Sequence, residues 1–163
     1  MSNAVTKTNA VRLLEASNLL LDALEYPIED GLIDAVSMAK KLNKPAEQVF
    51  KTLVTVGKPK SYYVFIIPGP YELDLKLAAK AAGEKAIEMI PQKELLPLTG
   101  YIHGGCSPVG MKKLFPTFLD ETAILYDKIY VSGGKVGLSV GVNPESLMEF
   151  LGGSIVEIAR EKK

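Results

Sequence analysis

Apolar residues recur along the chain in short runs of two periods, and most runs are closed by proline, glycine or asparagine, the residues that most often interrupt regular backbone. Ala10, Leu13 and Leu14 share one helical face over residues 9–16, with Thr6 or Thr8 as the capping side chain. Residues 19–26 predict a strand stopped by Pro27, and residues 34–42 a helix ending near Asn43, Lys44 and Pro45. A helical turn over 46–50 leads into an alternating strand, 51–56; the turn 57–60 then sends the chain back along a second strand, 62–67. Residues 74–82 form an alanine-rich helix with Gly83 in the position of a left-handed terminator. A short strand at 86–90, a helix opening at Pro91 and running to 96, and an extended stretch at 99–103 follow. Strands are predicted at 118–119, 128–131 and 136–142. Asn143 and Pro144 then start a helix to Leu151, and 154–158 is a final strand.

This order mixes short strands and helices without regular βαβ alternation. It predicts a single α+β domain over residues 1–163, with a mixed, curved, barrel-like β-sheet and flanking helices. A length of 163 residues suits one domain with a real core, and 47% hydrophobic against 23% charged residues is a globular balance. Ser2, Asn3 and Ala4 resemble the remainder of a cleaved tag, so 1–6 are set aside from the fold. No internal repeat or linker interrupts the rest.

Charge narrows the function more than length does. Nineteen basic residues balance nineteen acidic ones, so contact with nucleic acid has to come from a local patch rather than a global field. One cysteine forms no internal disulfide, and one cysteine with one histidine excludes the usual Cys/His zinc sites. No metal or cofactor is expected. No apolar run is long enough for a membrane span and no secretory leader is evident, so the expected setting is cytoplasmic, with no membrane partner.

Chemistry concentrates in segment 104–110, where Gly104, Gly105 and Gly110 surround the only cysteine, Cys106, with Ser107 and Pro108, next to the only histidine, His103. Closely spaced glycines let backbone N–H groups approach an anion or carbonyl oxygen, although they also serve simple β-connections. A second glycine turn, 132–137, lies downstream, and a crevice between the two turns is the natural pocket. Gly105 and Gly110 have the spacing of a phosphate loop, but Met111 and Lys112 follow where lysine and a hydroxyl residue belong. The second turn joins two strands, unlike a dinucleotide fingerprint. His103 and Cys106 read either as a thiol–base pair or as a surface histidine beside an inert packed thiol.

Lys51 is the other pointed residue. Alternation puts Lys51, Leu53 and Thr55 on one strand face and Thr52, Val54 and Val56 on the other, so its ammonium either sits on a partly apolar face or snorkels to water. Tyr26 is open between a capping aromatic and a hydroxyl facing a ligand.

Phe50-Lys51-Thr52-Leu53, then Thr99-Gly100-Tyr101 with Gly104, Gly105, Ser107, Pro108 and Gly110, then Val131-Ser132-Gly133-Gly134-Lys135 with Gly137 and Leu138, resemble the YbaK/EbsC family in order and spacing. These proteins are free-standing relatives of the editing domain inserted in bacterial prolyl-tRNA synthetase, and the resemblance runs from about Thr8 to Ile158. It implies a barrel-like α+β fold and hydrolysis of mischarged tRNA, chiefly Cys-tRNA(Pro), with the aminoacyl-tRNA acceptor end and prolyl-tRNA synthetase as partners. It further implies that Lys51 with Gly104 and Gly105 forms the catalytic group. Tyr26, Thr52, Cys106, Ser107, Pro108, Gly110, Ser132, Gly133, Gly134 and Ser139 are the implied substrate contacts. A family-level proposal has the substrate's own thiol attack its ester, with no protein nucleophile. Deacylation of Ala-tRNA(Pro), or a non-catalytic tRNA- or nucleotide-binding role, are the alternatives.

Three positions depart from the family pattern: Val136 where arginine is frequent, Ser139 or Gly141 where an acidic residue is, and Leu24 or Glu25 where a histidine is. These put the rim contacts in doubt and leave Lys51 and Gly104 intact. Lys58, Lys60, Lys112, Lys113 and Lys135 are candidate phosphate contacts or simply solvated charges.

Overall fold

Four helices begin where a short polar side chain accepts a free backbone N–H, which settles their starts before any tertiary contact is made. In a computed structural model describing residues 7–162, helix α1 (Asn9–Ala16) is capped by Thr8, α2 (Ala35–Leu42) by Asp34, α3 (Leu75–Ala82) by Asp74 and α5 (Pro144–Leu151) by Asn143. Asn43, Gly83 and Gly152 end the last three of these in the left-handed conformation, at φ 56°, 74° and 67°. The tag-like residues and Thr6 lie outside the described residues. The helical turn expected at 46–50 is a 3-10 turn, Ala46–Gln48.

Strands β2 (Phe50–Val56) and β3 (Tyr62–Pro68) pair antiparallel over their whole length, with Phe50 opposite Pro68 and Val56 opposite Tyr62. The short β5 (Glu88–Met89) joins the free side of β2, while β6 (Thr117–Asp120) and β9 (Ser154–Val156) add in parallel beyond β3. This five-stranded sheet is mixed, as predicted. A second, antiparallel sheet is ordered β1 (Asp22–Glu25), β8 (Leu138–Val142), β7 (Ile129–Ser132). A two-stranded ribbon pairs β4 (Tyr71–Leu73) with β10 (Ala159–Glu161). The barrel does not close: among the described residues the two larger sheets are joined by one isolated parallel bridge, Val49 with Tyr130.

β3 is buried on both faces, which is why it reads as an unbroken apolar run. One face of the β2–β3 pair packs Phe50, Val54 and Ile66 into the main core with Leu14, Leu119, Leu138 and Leu147. The other packs Phe65 and Ile67 against Ala78 and Ala79 of α3.

Several elements differ from the prediction: the helix expected from Pro91 to 96 is a 3-10 turn, Gln92–Glu94, that leads into a helix at Leu95–Thr99. The strand expected at 19–26 shrinks to β1 because Leu19 and Leu20 fold back and donate to the Leu14 carbonyl at the end of α1. The stretch expected to be extended at 99–103 begins as the last residue of α4 (Leu95–Thr99), which Gly100 terminates at φ 88°; Pro97 is tolerated because it lies in the first turn, where no N–H partner is needed. β4 and β10, three residues each and far apart in sequence, carry no local signal and were not anticipated.

Asp120 joins three of these parts. It is 2% exposed; one carboxylate oxygen accepts from the Ile158 and Ala159 N–H groups and the other from the Thr122 N–H and hydroxyl. Asp120→Ala, which strands these donors, is expected to lower unfolding free energy in urea by roughly 2–4 kcal/mol; a loss under ~1 kcal/mol would refute this role.

Candidate active site

Where α2 begins, β2 begins and segment 104–110 passes, the structure leaves a cavity of about 310 Å³. α2 and the residues before it supply Ile33, Asp34, Ala35 and Met38; β2 supplies Phe50, Lys51, Thr52 and Leu53; His103, Gly104, Cys106, Leu95 and Ser132 complete the lining. The side chains are mostly apolar, so the few polar groups act in surroundings with little competing water.

The Lys51 ammonium, half-buried, donates to the Gly69 carbonyl at 3.0 Å. Burial pushes its pKa below the ordinary lysine value of 10.5, the Lys162 charge adds to that, and Glu72 and Asp34 oppose it. Asp34 does not pair with it; its oxygens accept from the Ser37 N–H at 2.8 Å and the Ser37 hydroxyl at 2.9 Å, and the first of these bonds chiefly holds its pKa down. Beside Lys51, the Thr52 hydroxyl is buried and has no hydrogen-bond partner among the described residues.

The glycine segment owes its shape to buried hydrogen bonds. The Tyr101 hydroxyl donates to the Val109 carbonyl, the Ser107 hydroxyl accepts from the Val109 N–H at 3.1 Å, and the Gly105 N–H donates to Ile102 at 2.9 Å. Gly104 has φ 87°, and a Cβ there would lie 2.6 Å from the Ile33 Cδ1. Only glycine lets this loop close one wall of the cavity. The Gly104 and Cys106 N–H groups make no hydrogen bond to another described residue.

Cys106 lines the cavity but is a poor nucleophile. Burial pushes its thiol up to about 12, with a bond to Thr99 opposing, so near pH 7 it is protonated. His103, which the sequence offered as its base, is exposed at the rim.

Of the residues singled out from sequence, Lys51, Thr52, His103, Gly104, Cys106 and Ser132 meet around this cavity. The others do not line it. Gly105 packs against Lys135 and Val136, where a Cβ would lie 2.9 Å from the Val136 nitrogen. The two glycine turns therefore touch, and the crevice expected between them is displaced to the side of β2. Ser107 is fully buried, and Pro108 and Gly110 face a separate groove with Leu13 and Phe150. Gly133 accepts from the Thr8 hydroxyl, Gly134 packs on Tyr101 and Ala10, and Ser139 donates to the Val131 carbonyl at 3.4 Å inside the second sheet. Tyr26 packs under α2 with Met38, Val49 and Tyr130; its hydroxyl is buried with no hydrogen-bond partner among the described residues, and burial raises its pKa.

Sequence reasoning missed Ile33, Asp34, Ala35, Met38 and Leu95 as lining residues. Asp34 was legible only as a helix cap, and the apolar members only as core. Among the candidate phosphate contacts, Lys135 pairs with Glu25 at 3.6 Å and Lys112 reaches the Pro97 carbonyl at 3.4 Å. Lys58 and Lys60 sit in the hairpin at the far end of β2 from Lys51. Among the described residues no group of three or more His, Cys, Asp or Glu side chains is arranged to hold a metal, and no helix is long and apolar enough to cross a membrane.

EbsC of Enterococcus faecalis (strain ATCC 700802 / V583), a candidate Cys-tRNA(Pro)/Cys-tRNA(Cys) deacylase, is 44% identical over 156 residues, covering 96% of this chain and 95% of its own. The crystal structure of a candidate trans-editing enzyme for prolyl-tRNA synthetase superposes with TM-score 0.82 at 26% identity, covering 97% of this chain and 99% of that one. A hypothetical protein superposes equally well, at TM-score 0.82 over 91% and 97% of the two chains, but at 22% identity it speaks for the fold alone. The family model described as the aminoacyl-tRNA editing domain matches residues 31–150, a span that contains every lining residue of the cavity, and the chain belongs to the aminoacyl-tRNA editing domain family.

Proposed function

We propose that this protein hydrolyses the ester bond of mischarged aminoacyl-tRNA, with Cys-tRNA(Pro) as its substrate, acting in trans to prolyl-tRNA synthetase. One observation carries the reading: Lys51, with a half-buried ammonium, and Gly104 and Cys106, whose N–H groups make no hydrogen bond to another described residue, line one small, mostly apolar cavity in which the protein's only thiol is held protonated. The name of the 44% identical EbsC points to the same substrate.

The chemistry then falls to the substrate's own side chain. Its sulfur bonds to the ester carbonyl carbon, the carbonyl–ribose bond breaks, and the proton leaving the thiol ends on the ribose oxygen; water opens the resulting thiolactone to free cysteine. Lys51 keeps two N–H donors beyond its bond to Gly69, and with the Gly104 and Cys106 N–H groups it stabilises the oxyanion that develops. Thr52 offers its unpartnered hydroxyl to the ester or ribose. Proximity of thiol and carbonyl contributes the rest. Ile33, Met38 and Phe50 bound a slot for a small side chain, and such a slot separates Cys from Ala weakly. Chemistry that needs the thiol supplies the missing discrimination. With no net charge on the chain, the synthetase partner supplies much of the tRNA affinity.

Deacylation assays on Cys-tRNA(Pro), Ala-tRNA(Pro) and Ser-tRNA(Pro) test this. Wild type is expected to act on the cysteinyl ester, Lys51→Ala to lose roughly a hundredfold or more in kcat/KM, and Cys106→Ala to stay close to wild type. Turnover of the alanyl ester at an equal rate would refute thiol assistance, and inactivity on every ester would leave a tRNA-binding role. Loss of activity in Cys106→Ala alone would restore a protein nucleophile.

Because burial lowers the Lys51 pKa, the catalytic ammonium is lost as pH rises, and the alkaline limb of kcat/KM is expected below pH 10.5. In Lys51→Arg that limb should move upward, and an unmoved limb would assign it to another group. For Cys106, native protein at pH 8 is expected to react with iodoacetamide roughly a hundredfold or more slowly than urea-unfolded protein; comparable rates would contradict the buried, protonated thiol.

A further inference from the structure

Between β1 and α2 the chain crosses residues 26–34 without regular structure, and the crossing touches both glycine turns. Ile28 packs at Gly137, where a Cβ would lie 3.2 Å from its Cγ2, and Ile33 packs at Gly104. Ile33 is also where this loop enters the wall of the Lys51 cavity. The rest of it, 27–32, is exposed. Two internal hydrogen bonds, from the Gly31 N–H to the Ile28 carbonyl and from the Leu32 N–H to the Asp30 carboxylate, both 3.0 Å, curl the loop without tying it to anything beyond itself.

The tie is Lys41, in the last turn of α2. Its ammonium donates to the Pro27 carbonyl at 2.7 Å, to the Asp30 carboxylate at 2.8 Å and to the Leu32 carbonyl at 2.8 Å. A lysine ammonium has three N–H donors, and here all three end on the loop. Among the described residues no other hydrogen bond joins 27–32 to the rest of the chain. The Lys41 side chain is only 13% exposed, with its nitrogen 5.8 Å from the centre of the Tyr26 ring, whereas neighbouring Lys40 points into solvent. The ion pair with Asp30 alone would hold little, since that side chain is 50% exposed. The two backbone carbonyls make the contact a clamp, because they fix the main chain at both ends of the loop.

We propose that Lys41 is a positioning residue: it pins the 27–32 loop, thereby fixes Ile33 against the substrate's side chain, and so sets how large a side chain the slot admits. The pinning stands on the geometry, and the size selection rests on the deacylase reading above. An apolar wall separates side chains that differ by a methyl group only as far as it refuses to yield. Ile33 follows directly on Leu32, so a Leu32 carbonyl held in place holds that wall, and a solvent-exposed loop released from Lys41 would give way.

The test compares tRNA(Pro) charged with cysteine and with penicillamine, which keeps the thiol and adds two methyl groups at Cβ. Lys41→Met keeps the apolar stem and removes all three donors. Wild type is expected to favour the cysteinyl ester in kcat/KM, Lys41→Met to narrow that preference roughly tenfold, as a wall yielding by about one methyl group implies, and Lys41→Arg to restore most of it. A ratio taken within one sample is independent of the folded fraction, and its change between variants cancels the intrinsic reactivity of the two esters. An unchanged ratio in Lys41→Met, or a narrowed one that Lys41→Arg does not restore, overturns the selectivity role. The pin is read without turnover from the NMR signal of the Ile33 δ1 methyl, which is expected to shift in Lys41→Met while that of Ile67, buried against α3, stays in place; an unmoved Ile33 signal overturns the pin. A chain that shows this shift but hydrolyses no misacylated tRNA would support the pin and refute the deacylase reading, whereas an active chain with Ile33 unmoved would refute the pin alone.

Discussion

Seven consecutive residue pairs between β2 and β3 set the register on which both cores and the cavity rest. A slip of one residue would exchange the two faces of β2, taking Phe50 and Val54 out of the main core and turning the Lys51 side chain into it. Register is held by burial on both sides, since β3 packs against the main core on one face and α3 on the other. The position of a single ammonium group is thus maintained by the burial of many apolar side chains, each worth roughly 1.5–3 kcal/mol relative to exposure.

A half-buried ammonium is costly unless something compensates it. Here the partner is the backbone carbonyl of Gly69, while the nearest lining carboxylate, Asp34, is engaged by the start of its own helix. A carboxylate paired directly with Lys51 would neutralise its charge. A neutral carbonyl fixes the side chain and leaves its charge available. Gly69 itself is tightly enclosed, because a Cβ there would lie 2.8 Å from the Ala35 Cβ and 3.2 Å from the Val49 carbonyl oxygen. The turn after β3 therefore packs against the first turn of α2 and the entry to β2, tying three walls of the site together.

The glycine segment contributes backbone more than side chains. Its density of chemistry in sequence drew attention to Cys106 and His103, yet desolvation disarms the thiol and the imidazole lies out at the rim. Ser107 and Tyr101 use their hydroxyls to hold the loop, and Gly104 turns it close against Ile33. The result is a close-packed wall in which the Gly104 and Cys106 N–H groups make no hydrogen bond to another described residue.

Much of the fold was legible because helix caps, glycine terminators and strand alternation are local properties. Thr8, Asp34, Asp74 and Asn143 act within three residues of themselves, so their helices could be read directly. Family membership was legible too, since the glycine motifs and the Phe-Lys-Thr-Leu stretch keep their order and spacing along the chain. The β4–β10 ribbon, the open barrel and the contact between the two glycine turns were not, because they depend on residues brought together from distant parts of the chain. By itself the sequence determined which residues could do chemistry. Which of them face one another, and that Cys106 sits in the cavity but in too little water to ionise, was decided only by tertiary packing, because desolvation and side-chain convergence are properties of the assembled core.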